Sequence, residues 1–281
     1  MDNKHLSFIG LSSLLLSTQA LSYHAEVELS LLDSSLFEID ITGTRAGGSV
    51  FLKPLRSSNV PFAEMPFTQK TGQVDLEYYS INWDSELLSS TQNTYSVAGT
   101  FILKDWLIGG KFSNFSNETN EFIDDDTGLD TLELTGGLFI ARDWLVSLSV
   151  VNYSFGEVAD DGDETGFRVS SKRFVDLPSG PAFSLTGQFF FIDETSELTL
   201  AGDYYFNKRT SVGASIVQTW ISSDDEDESA SETGLSLYAQ HYFNRNLSAK
   251  LSYIDNESFL YAINHFTFFE PTWVLSGKFR F

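Results

Sequence analysis

The 281-residue chain has no cysteine, only 2 methionines and 6 prolines, and 17 basic residues against 39 acidic ones. Each shortage excludes something. Without cysteine there can be no disulfide, thiol nucleophile or zinc–cysteine centre. A net charge of −22 leaves no basic surface to neutralise phosphates, which sets nucleic acid aside as a partner. Beyond residue 22 no stretch approaches the ~20 apolar residues that a membrane-crossing helix needs. A glycine-rich phosphate loop, an HExxH motif and a dinucleotide fingerprint are missing too.

What the chain does have is aromatic residues, 15% of the total with 25 Phe and 11 Tyr, arranged with period two. Leu198, Leu200, Gly202, Tyr204 and Phe206 oppose Thr199, Ala201 and Asp203. Val212, Ala214, Ile216 and Trp220 oppose Ser211, Gly213, Ser215 and Thr219, and Leu247, Ala249, Leu251 and Tyr253 oppose Ser248, Lys250 and Ser252. Helical spacing fits none of these windows, whereas a wall with one lipid-facing and one water-facing side fits all of them.

The first 22 residues carry Lys4, an apolar stretch from Leu6 to Leu16, and then Ala20-Leu21-Ser22. This predicts a cleaved signal peptide over 1–22, with the mature barrel occupying 23–281. Cleavage after Ala20 competes, and a buried N-terminal helix is the plain alternative.

Turns reinforce the pattern. Short connections are expected at Lys104-Asp105, Arg142-Asp143, Asn207-Lys208-Arg209, Asn244-Arg245 and Glu270-Pro271, and long ones at 116–130, 156–165 and 222–232. Short turns on one rim and long loops on the other define an all-β, transmembrane, antiparallel up-and-down barrel. Fifteen candidate strands emerge, including 258–268 and 273–281. Because such barrels have even strand numbers, the expectation is 14–16 with 14 or 16 preferred, and one assignment near 255–272 or 33–70 must fail. Residues 54–71, with Pro54, Pro61 and Pro66, should not form a regular strand. Aromatics bracketing the short turns (Phe101 and Trp106, Phe139 and Trp144, Tyr205 and Phe206, Tyr242 and Phe243) are expected in an interfacial girdle.

The chain ends TWVLSGKFRF. Trp273, Leu275, Phe279 and Phe281 share one face, as in the signal by which barrels reach their assembly machinery. By the same parity Glu133, Gln188, Asp203, Lys250, Lys278 and Arg280 are candidates to line a pore, since Lys or Arg facing lipid at the midplane costs about 2–4 kcal/mol.

In its ordering, YHAEVELSLLDSS, then GTRAGGSVFLKPLRSSNVPFAEMPF, then repeated YFN…LS hairpins, the chain resembles the putative general bacterial porin family of Gram-negative proteobacteria. It departs from that pattern in carrying Trp in KDWL and RDWL. The resemblance implies passive diffusion of small hydrophilic solutes through an outer-membrane barrel, with no catalytic residues and no cofactor. Outer-membrane lipid, lipopolysaccharide and the barrel assembly machinery are the implied partners, and a homo-oligomer stays open.

Seventeen acids, with no Lys or Arg among them, crowd the three long connections. They could be simply solvated, could loosely hold Ca²⁺ or Mg²⁺ through Asp124, Asp125, Asp126, Asp224, Asp225 and Asp227, or could make the pore cation-preferring. DDEDE at 224–228 lacks the glycine and distal Glu of an EF-hand. A structural or adhesive barrel with a blocked lumen is the competing reading. An enzyme is disfavoured: the mature histidines are His24, His241 and His265, and pairing any of them with an abundant serine carries little information.

Overall fold

The computed structural model describes residues 22–36, 39–56, 59–84, 89–119, 127–155, 163–177, 180–222, 230–256 and 268–281. Alternation resolves into strands β1 (Ser22–Leu36), β2 (Ile39–Arg56), β3 (Gln73–Asp84), β4 (Ser89–Leu103), β5 (Trp106–Thr119), β6 (Thr127–Ala141) and β7 (Trp144–Phe155). They continue as β8 (Glu164–Asp176), β9 (Ala182–Ile192), β10 (Thr195–Tyr205), β11 (Thr210–Ile221), β12 (Ala230–Tyr242), β13 (Leu247–Asn256) and β14 (Phe268–Arg280). Each strand pairs with the next, and β14 pairs with β1, so the sheet closes. No helix among the described residues is long and apolar enough to cross a membrane.

Closure runs from Glu26↔Arg280 to Asp33↔Trp273. The Phe281 carbonyl accepts from the amides of His24 and Ala25 at 2.9 and 3.0 Å, and its own amide donates to Ala25 at 3.0 Å. The last residue therefore belongs to the wall.

Parity holds strand by strand. In β6, Leu132, Leu134, Leu138 and Ile140 are exposed on the outside while Glu133 and Thr135 hydrogen-bond to each other inside. In β14, Trp273, Leu275 and Phe281 are exposed, whereas Val274, Ser276 and Arg280 are buried. With an even strand count, both termini share a rim with the connections at 104–105, 142–143, 206–209 and 243–246. The connections between β5 and β6, β7 and β8, and β11 and β12 lie together on the opposite, outer rim. That rim is not uniformly long-looped, because β9 and β10 join there through Asp193-Glu194.

Three expectations are corrected. No separate strand stands between β13 and β14, which pair directly; of the candidate strand 258–268, Phe268 opens β14 and the rest lies outside the described residues. Glu270-Pro271 is not a turn but lies within β14. There the register jumps from Ile254↔Thr272 to Asn256↔Phe268, and a proline without an amide hydrogen is tolerated where the ladder is interrupted. Pro54 likewise falls inside β2, where pairing with β1 shifts between Tyr23↔Leu55 and Ala25↔Val50.

Leu134 lies midway along β6 on the exposed face. Leu134→Arg is expected to lower the unfolding free energy in phospholipid vesicles by about 2–4 kcal/mol, measured by urea titration; an unchanged midpoint would mean this face does not meet lipid.

Candidate functional site in the barrel lumen

Side chains facing the lumen sort by height. Near the outer rim they are apolar: Leu32, Ile41, Ile81 and Val274 form one buried cluster, and Leu129, Val151, Tyr153, Phe190 and Ile192 another. Charges come next. Arg45 donates to Glu77, and Arg168 donates to Glu133 across the intervening strand. Lys278 pairs with Glu26 and Glu28 at 3.0 and 3.1 Å. Lipid excludes such groups from the outer surface, so the interior is where the strands can carry them.

None of the six candidate lining residues is among the exposed large side chains of the outer face, and their settings differ. Glu133 and Lys278 are ion-paired, as above, and Gln188 sits between Ser170 and Thr199 on the neighbouring strands. Asp203 accepts from the Ser184 hydroxyl at 2.9 Å. The Lys250 ammonium rests 4.0 Å from the centre of the Tyr238 ring. That ring covers Gly213, where any Cβ would collide with it; glycine there makes room for the aromatic. Arg280 is only 2% exposed and sits at the foot of the barrel. Its Nε donates to Glu26 at 2.8 Å, Nη1 donates to the Phe62 carbonyl at 2.8 Å, and Tyr23 and Tyr242 flank the guanidinium.

Arg45, Asp75, Glu77, Lys111 and Arg168 escaped the sequence reading, although the same parity rule would have found them. Glu64 could not have been found that way, because it lies on no strand. Residues 59–71 leave the wall, form a 3-10 turn (Phe62–Glu64) and a one-turn helix α1 (Met65–Thr68), and cross the inner mouth. Met65 accepts a hydrogen bond from the Tyr23 hydroxyl of β1 at 3.0 Å. Next to it, Glu64, 3% exposed, receives the Tyr205 hydroxyl of β10 at 2.6 Å and pairs with Lys172 of β8 at 3.0 Å. Since β1 and β8 stand opposite each other in the ring, these adjacent residues reach opposite walls.

Apolar packing completes the crossing. Phe62 and Met65 pack with Tyr23, Phe51, Leu55 and Tyr242, while Val60, Ala63 and Phe67 pack against Phe174, Ala182 and Tyr205. This corrects the girdle: Phe139, Tyr205 and Tyr242 point inward and are buried, whereas Phe101, Trp106, Phe206 and Phe243 face out. In Tyr205-Phe206 and Tyr242-Phe243 the two rings are neighbours in an extended chain and so point to opposite faces, while Phe139 falls on the inward parity of β6 with Glu133 and Thr135.

The crossing returns through Lys70, at φ 47°, and Gly72, where a Cβ would collide with the Thr100 carbonyl. The Lys70 ammonium donates to Asp105 at 2.7 Å, and this hydrogen bond holds the exposed Asp105 carboxyl below its usual range. A depressed carboxyl favours the folded form above the ordinary aspartate range, and that contribution disappears as pH falls through the folded value.

The six aspartates expected to hold cations, Asp124, Asp125, Asp126, Asp224, Asp225 and Asp227, lie outside the described residues, as does His265. Among the described residues no group of three or more potential metal ligands is found. His241 Nδ1 lies 3.0 Å from the Thr210 hydroxyl near the inner rim.

Residues 4–269 match the family described as "Putative general bacterial porin". Among solved structures, the outer membrane protein Omp33 of Acinetobacter baumannii is similar at 17% identity and TM-score 0.61, over 94% of this chain and 100% of that one. CdiB from Acinetobacter baumannii is similar at 9% identity and TM-score 0.51, over 92% of this chain and 60% of that one. These likenesses are of fold. No curated protein matches the chain.

Removing one partner of a buried carboxylate leaves it under-satisfied, at a cost of about 1–3 kcal/mol. Lys172→Met is therefore expected to speed amide hydrogen exchange in residues 62–69 at least about fivefold, leaving the strands protected. Equal protection in both proteins would show that Glu64 does not hold the segment.

Proposed function

The chain belongs to the putative general bacterial porin family, and from that footing we propose that its lumen passes small hydrophilic solutes by diffusion, with a preference for cations. It is a porin of the outer membrane of a Gram-negative bacterium, and its family and fold are those of a channel rather than an enzyme. The observation that carries the reading is the closed ring of fourteen strands, apolar outside and lined with charges inside. Eight strands leave an interior that side chains fill, and larger rings leave room for water.

The cation preference rests on acids concentrated at 118–130, 156–165 and 222–232, in the connections after β5, β7 and β11 and the strand ends beside them. Their strands deliver all three to the outer rim, where a negative field raises the local cation concentration. The same carboxylates suit Ca²⁺ or Mg²⁺ bridging to lipopolysaccharide phosphates. A signal peptide over 1–22 rests on Lys4, the apolar stretch Leu6 to Leu16 and Ala20-Leu21-Ser22. The face carrying Trp273, Leu275, Phe279 and Phe281 is offered to the assembly machinery, and association with further copies is compatible with the barrel.

A second reading, a structural or adhesive barrel with a blocked lumen, is favoured by one observation: the segment across the inner mouth. Planar-bilayer recording separates the two. The folded protein should give stepwise currents, and replacing residues 59–70 with a Gly-Ser linker should raise the step at least about twofold. No current from either protein would leave the blocked barrel. In a KCl gradient the reversal potential should take the sign of a cation-preferring pore, and anion preference would remove that part of the reading.

A further inference from the structure

A cavity of about 320 Å³ opens in the inner wall, lined among others by Glu28, Arg45, Asp75, Glu77, Lys111 and Lys278. Most of these charges are already matched: Arg45 with Glu77, Lys278 with Glu28. Two are not. Among the described residues Asp75 is held by neutral donors, the Ser49 hydroxyl at 2.6 Å and the Gln73 amide at 2.9 Å. Lys111 forms no ion pair among the described residues, although it stands opposite Glu133, which is taken by Arg168, and lies in the field of Glu77.

Register sets the spacing between them. Asp75 of β3 lies opposite Ala98 of β4, which lies opposite Lys111 of β5. The two charges are thus two strands apart, about 10 Å between backbones, with a single methyl group between. Gly47 also lines the cavity, and a Cβ there would meet nothing closer than 3.7 Å. Packing does not demand glycine at that position, so its missing side chain leaves open space.

The geometry points to a binding subsite for a small zwitterion, an amino acid or short peptide, with its ammonium on Asp75 and its carboxylate on Lys111. A lone cation would meet Lys111 and a lone anion would meet the surrounding carboxylates; a molecule carrying both charges satisfies each side, and charge-assisted hydrogen bonds are the strong ones. The cavity is large enough to hold such a molecule with some of its water. This deepens the channel reading and rests on it, by giving the lumen a solute class.

Glycylglycine titrated calorimetrically into the folded, detergent-solubilised full chain tests the inference. Saturable one-to-one binding is expected. Lys111→Met and Asp75→Asn should each weaken it at least about tenfold, Lys111→Arg should retain it, and Ala98→Leu should abolish it by filling the gap. The neutral analogue N-acetylglycinamide should not bind. If glycylglycine fails to bind, or binds Lys111→Met and Asp75→Asn as it binds the parent, the subsite is overturned. Liposome swelling with the uncharged sugar arabinose reports on the channel separately: entry without glycylglycine binding removes the subsite alone, and binding without entry removes the channel alone.

Discussion

Inside hydrocarbon a peptide N–H or C=O that lacks a protein partner has no water to turn to, at a cost of several kcal/mol for each group. Fourteen strands that each pair on both sides, with β14 returning to β1, meet that demand without leaving an edge. Closure recruits the very end of the chain, where Phe281 exchanges backbone hydrogen bonds with Ala25. Once the ladder is complete, the remaining freedom is which side chain faces lipid and which faces the lumen. Most other features of the molecule follow from how that freedom is used.

The lumen then becomes the compartment in which the strands can carry charge. One cross-strand row runs Arg280, Glu26, Ser49, Asp75, Ala98, Lys111 and Glu133 through seven consecutive strands. Within it Arg280 pairs directly with Glu26 on the adjacent strand. Ser49 and Ala98 flank Asp75, and Glu133 beside Lys111 is taken by Arg168, so neither Asp75 nor Lys111 has an ion pair among the described residues. Small residues in a charged row therefore separate charges that would otherwise neutralise each other, and this is how a wall built for structure can present a dipole to a solute.

Much of this was legible in the sequence, because parity is a local property. Alternation in windows such as 198–206 and 247–253 located strands and assigned faces to Asp203 and Lys250 without knowledge of the fold. Other features depended on partners that the sequence does not display. Pro54 and Pro271 read as breaks, yet both lie in strands at register shifts, and whether a proline falls on a ladder bond is decided by the neighbouring strand. Paired aromatics at the turns read as a single girdle, although adjacent residues point to opposite faces: Tyr242 ends up under the crossing segment while Phe243 faces out. Glu64 was invisible for a stronger reason. Its partners, Tyr205 and Lys172, lie 141 and 108 residues away, and nothing local to Glu64 announces them.

The crossing segment obeys a different constraint from the wall it closes. Its backbone has few bonds to the barrel, among them the Phe62 amide to the Lys208 carbonyl at 3.0 Å and the Leu52 amide to the Gly72 carbonyl at 2.8 Å. Most of its attachment is through side chains: Glu64 to Tyr205 and Lys172, Lys70 to Asp105, and a set of aromatic contacts. The wall's own ladder is complete without it. Displacing the segment would strip the Phe62 carbonyl from Arg280 but leave Arg280 paired with Glu26, so the loss would remain local and the ring would stay closed. Opening free energies that differ between a loosely attached segment and a fully paired strand are the general expectation for folded proteins. The backbone ladder that closes the ring and the side chains that hold the segment across the mouth are thus different sets of interactions, joined through wall residues such as Tyr205 and Arg280.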